Sequence, residues 1–143
     1  MKSKLLHEHG GDRTFVVVFE HGDMLMSPLL AFLREEAIGA ARLTGIGALE
    51  SVTLSYFDWE MKRYEEHTFD EQVELLSLTG DVALKDGEPQ VHAHVVIGRR
   101  DTTTRGGHLV DATVRPTLVP TKSDGRSARR SRAGQRTDST PAS

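Results

Sequence analysis

The chain has 143 residues, 37% of them apolar and 27% charged, which suits one domain around one core. Its net charge of −3 hides an asymmetry: residues 121–143 carry Lys122 and five arginines against Asp124 and Asp138, net +4, so residues 1–120 carry −7. The absence of cysteine excludes disulfides and thiolate metal sites, and no apolar run has the length of a membrane span or a signal peptide, so the expectation is a soluble, cytoplasmic protein whose acidic body does not by itself point to DNA binding.

The first clear element is Thr14–Glu20, a short β-branched apolar run that reads as a strand buried on both faces. His21-Gly22-Asp23 breaks it. Ser27-Pro28 then opens a helix, with Ser27 as its cap and Gly39 as its stop. Leu29, Leu30, Phe32, Leu33 and Ala37 form one apolar stripe, as expected of a helix lying on a sheet.

Leu43-Thr44-Gly45-Ile46-Gly47 contains a G-x-G, but a dinucleotide loop needs a strand before the glycines and a helix after them. Here a helix precedes and strand-like residues follow, so the glycines are assigned to close backbone packing or a bulge. Val52–Phe57 alternates as a half-buried strand. The Asp58–Arg63 turn returns the chain as a polar edge strand, Tyr64–Phe69. Val73–Leu84 is strand-like with a bend at Gly80, and Asp86-Gly87 makes a tight turn. Glu74 in this run would need a partner if it faced inward. Gln90–Gly98 is the next strand, Arg99–Gly107 a polar loop, and His108–Val114 the last strand. Many consecutive strands with one principal helix predict an α+β domain built on a mainly antiparallel sheet. Beyond Pro120 the chain has too few apolar residues to order itself.

Three of the seven histidines form a pattern. His92 and His94 alternate along a strand and so share a face, while Val91, Ala93, Val95 and Ile97 face the core. His108 follows Gly106-Gly107, where the backbone can come close. If the three imidazoles converge they make a site for a divalent metal, zinc as first guess, with a fourth position open, and imidazole also suits iron, copper or nickel; the alternative is that His92 and His94 are ordinary exposed strand residues and His108 a turn residue. His7, His9, His21 and His67 show no such arrangement. Arg99, Arg100 and Arg105 lie between the candidate ligands, either to orient an anion or simply as a solvated loop.

Gly45–Leu49, Glu74–Gly80, Gly87-Glu88-Pro89-Gln90-Val91-His92-Ala93-His94 and Gly106-Gly107-His108-Leu109 together resemble the plants-and-prokaryotes conserved (PPC) domain over roughly residues 10–118. The resemblance implies an α+β fold with an antiparallel sheet packed by a helix, a homotrimer, and, in some members, a metal on the positions of His92, His94 and His108. It also implies the family's description as candidate DNA-binding proteins.

Two departures stand out. Of the plant Gly-Arg-Phe-Glu-aliphatic-Leu segment only Glu74, Leu75 and Leu76 match, so a plant-style protein partner is not expected. After Val114–Leu118, where the family continues with an apolar final strand, Pro120 and an Arg-rich segment stand instead, a pattern that a shifted reading frame or true divergence would give. The expected organisation is a PPC-like domain over residues 1–118 and a basic, disordered tail over 119–143. That tail lacks an AT-hook core, but Arg126, Arg129, Arg130 and Arg132 could meet DNA phosphates without reading bases. The first functional expectation is a DNA-binding or regulatory homotrimer with a three-histidine metal site. The alternatives are a metal-dependent small-molecule-binding protein or enzyme, and a purely structural trimer module.

Overall fold

The computed structural model describes residues 1–124, and the candidate phosphate contacts Arg126, Arg129, Arg130 and Arg132 lie outside them. In chain order the elements are β1 (Lys2–His9), β2 (Asp12–Glu20), α1 (Met26–Glu35), β3 (Ala41–Asp58), β4 (Arg63–Phe69), β5 (Val73–Lys85), β6 (Glu88–Gly98) and β7 (Thr104–Asp124). All strand pairings are antiparallel, in the order β1-β2-β7-β6-β5-β3-β4. A further β7–β3 pairing joins β3, β5, β6 and β7 into a closed ring. The α+β expectation, one helix on a mainly antiparallel sheet, therefore holds.

The core is one cluster of buried side chains from β2, the helix and all four strands of the ring. Leu29, Phe32 and Leu33 of the helix are buried, and Phe32 meets Phe15 of β2 edge-on at 5.3 Å between ring centroids. Ile97, Leu109, Val114 and Leu118 complete the interior from β6 and β7.

The helix ends differ from expectation. Leu25, not Ser27, is the N-cap residue and its side chain caps nothing. The Met26 N–H instead donates to Asp111 Oδ1 of β7 at 3.1 Å, so a distant carboxylate satisfies a free donor of the first turn. The helix stops at Ala37, which adopts φ 52°, before Gly39. Ala37 N–H donates to Arg34 O at 3.0 Å and Ile38 N–H to Leu33 O at 2.8 Å, a Schellman pair closed by the buried Ile38 and Leu33.

Three strand expectations are also corrected, and one strand was not foreseen. β1 pairs with β2 through a Gly10-Gly11 turn, with both glycines at positive φ, and it carries the exposed His7 and His9. β2 alternates, burying Phe15, Val17 and Phe19 while Val16 and Val18 are only half-buried, because one sheet face lies toward the helix. The polar loop after β6 closes at Thr103, so Gly106 and Gly107 lie within β7. β7 does not end at Val114 but runs to Asp124, pairing with β2 on one edge and β3 on the other. Backbone ladders on both edges hold this segment despite its polar composition, with Leu118 fully buried between them.

Gly45 and Gly47 play both roles expected of them. The β3–β5 register shifts between them, and the β3–β7 register shifts between Gly47 and Leu49. A Cβ on Gly47 would stand 2.5 Å from Thr117 O, closer than any side chain could be accommodated without backbone movement.

Candidate metal centre

His92 and His94 lie two residues apart on β6 and share its outer face. β7 runs antiparallel beside it with His108 directly opposite His94. The ring centroids of His92 and His94 are 4.9 Å apart, those of His92 and His108 5.1 Å, and those of His94 and His108 5.8 Å. One ring nitrogen from each lies within 4.8 Å of the other two.

Gly107 makes this approach possible. β7 is wedged here between β6 and β3, and a Cβ on Gly107 would stand 3.1 Å from Ser55 O. The glycine therefore lets β7 press against β3 while His108 is presented to His94 across the other edge. The sequence expectation that Gly106-Gly107 admits a close approach is met, but by a strand rather than a loop.

The donor set suits a divalent transition metal. Tetrahedral zinc–imidazole bonds of about 2.0–2.1 Å put ligand nitrogens about 3.3–3.4 Å apart. From a mutual separation of at most 4.8 Å, each nitrogen needs to move inward by under about 1 Å, within reach of small side-chain rotations. His92 and His94 are exposed and His108 is half-buried, so the centre is open on one side. Burial, and then the positive charge that His92 and His94 would carry, hold the His108 pKa below the usual imidazole value. A neutral His108 is the form that coordinates a metal.

The histidines border a depression of about 530 Å³. Its walls are aromatic and apolar: Tyr56 and Phe57 from β3, Tyr64 from β4 and Val96 from β6. Tyr64 stands 5.9 Å from His108 and 5.1 Å from Phe57, centroid to centroid. Sequence reading missed these groups and Ser55, which is buried opposite His108. The signal was present in the alternation of Val52–Phe57, but only the β3–β7 register turns it toward the histidines.

The arginines of the β6–β7 connection are not part of the site. Arg99 Nε donates to Glu71 Oε1 at 2.8 Å, Arg105 lies opposite Ile97 in register positions that alternate with those of His94 and His108, and none of Arg99, Arg100 and Arg105 lines the depression. Glu74 is exposed and needs no buried partner.

Comparison with known families matches residues 6–119 to the model of the Plants and Prokaryotes Conserved domain. The chain belongs to this family. A solved metal-containing protein from Archaeoglobus fulgidus is 35% identical to it, with a TM-score of 0.75 over 87% of this chain and 85% of that one. A PPC protein from Pyrococcus horikoshii is 33% identical, with a TM-score of 0.74 over 86% and 81%. A candidate DNA-binding protein from Bacteroides thetaiotaomicron is 27% identical, with a TM-score of 0.75 over 85% and 83%. No curated protein matches the chain.

Proposed function

We propose that this PPC-domain protein binds one divalent metal per chain, zinc first, on His92, His94 and His108, and that the metal's remaining position receives a small ligand. The observation that carries this reading is the convergence of three ring nitrogens within 4.8 Å across two strands. The metal-containing A. fulgidus relative supports it. Such a metal would act as a Lewis acid on a bound oxygen, while the chain's own residues hold it and shape the space beside it. Metal analysis of purified protein, wild type against His92→Ala, tests the reading: about one equivalent is expected in the first and none in the second.

A second reading concerns assembly and DNA. Ile46, Leu76 and Val119 are exposed around a depression of about 620 Å³, an apolar surface that favours self-association. With the family resemblance, it supports a homotrimer, for which light scattering should give three chain masses; a persistent monomer contradicts it. The candidate DNA-binding relative and the basic C-terminal segment favour DNA contact. Residues 125–143 hold five arginines against Asp138, net +4, so truncation after Asp124 leaves a body of −7. DNA binding should then vanish, and in the full chain it should weaken steeply with salt. Undiminished binding by the truncated chain contradicts a tail-borne contact.

A further inference from the structure

We propose that the depression beside the three histidines binds a planar aromatic monocarboxylate, which coordinates the metal through its carboxylate and stacks its ring on Tyr64 and Phe57. The inference rests on the metal reading above. Three neutral imidazoles leave the full charge of a divalent cation uncompensated, which attracts an anion. No Asp, Glu, Lys or Arg is among the described residues lining the depression, so the anionic group has one place to sit, at the metal. A phosphate would leave most of its oxygens without donors there, whereas a carboxylate has only two oxygens to satisfy.

The second carboxylate oxygen has a partner in Ser55. This residue is 5% exposed, lies opposite His108 in the β3–β7 register and lines the depression. Its hydroxyl makes no hydrogen bond to a described residue, and a buried hydroxyl without a partner is costly.

The shape selects a flat body. The Tyr64 ring is tilted 38° to His108 and 59° to Phe57, so an aromatic surface begins within one ring's width of a metal ligand. Gly106 also lines the depression, and it adds no side chain to fill it. Aromatic lining beside a position without a side chain favours a ring over a branched aliphatic body.

Calorimetric titration of the zinc-loaded full chain with benzoate, cyclohexanecarboxylate and acetate tests this. Benzoate should bind tightest, about tenfold better than acetate. Tyr64→Ala should reduce benzoate to the acetate level with zinc content unchanged, Tyr64→Phe should preserve the preference, and Ser55→Ala should weaken all three acids alike. In cobalt-substituted protein the visible spectrum should change on benzoate addition, reporting coordination directly. Failure to retain zinc would sink the metal reading itself. Zinc-retaining protein that binds benzoate no better than acetate, or in which Tyr64→Ala alters only the oligomeric mass, would overturn the ligand proposal.

Discussion

Gly47→Ala tests how tightly the two central strands are fitted. The added Cβ would stand 2.5 Å from Thr117 O, 2.7 Å from Leu118 Cα and 3.0 Å from Leu118 Cβ. Two of these three neighbours are backbone atoms, so no side-chain rotation relieves the clash. Nor can β7 step aside freely, because Leu118 is paired with Gly47 on one edge and with Phe19 on the other. Either the β3–β7 ladder opens locally or β7 strains its bonds to β2. Overpacking of this kind costs about 2–3 kcal/mol, which for a domain of this size lowers Tm by roughly 6–15 °C. Thermal and urea unfolding at fixed protein and zinc concentration would measure it. Gly47 lies roughly 25 Å along β3 from Ser55, so the folded variant should still bind one metal. A loss of stability under about 0.5 kcal/mol would refute the close approach.

Two further outcomes are expected. Ala37→Gly should stabilise the protein by about 1 kcal/mol, because Ala37 holds φ 52° in the helix stop and glycine meets no Cβ penalty there; an unchanged or lowered urea midpoint would contradict the strain. In metal-free protein the burial that depresses the His108 pKa also makes stability depend on pH. The unfolded chain takes up this proton near pH 6.5 and the folded chain only at lower pH, so the contribution is complete above about 6.5 and lost as pH falls. His108→Asn should flatten the pH dependence of the urea midpoint below that value, and equal slopes in variant and wild type would count against the burial effect.

What could be read in advance followed local physics. The strand at Thr14–Glu20, though buried on one face rather than two, the Asp86-Gly87 turn and the period-two placement of His92 and His94 were all legible. What could not be read depends on register between distant segments. The helix is capped by Asp111 across a separation of 85 residues, which no N-terminal motif announces. β1 is exposed throughout and carries no apolar alternation, so only its Gly-Gly turn betrays the hairpin. The length of β7 was hidden because its stretch from Leu118 to Ser123 is held by ladders on both edges rather than by a run of apolar side chains. Tyr64 and Ser55 became neighbours of the histidines for the same reason: β3 carries one of them and, through its hairpin with β4, positions the other.

The most direct test of the central claim is the metal content of untagged protein after equilibration with excess zinc and desalting. One zinc per chain is expected in the wild type, lost in His92→Ala and released as the wild type is taken below about pH 6.5, where free imidazoles protonate. Wild-type protein that emerges without metal, or a His92→Ala variant that keeps a full equivalent, would contradict it.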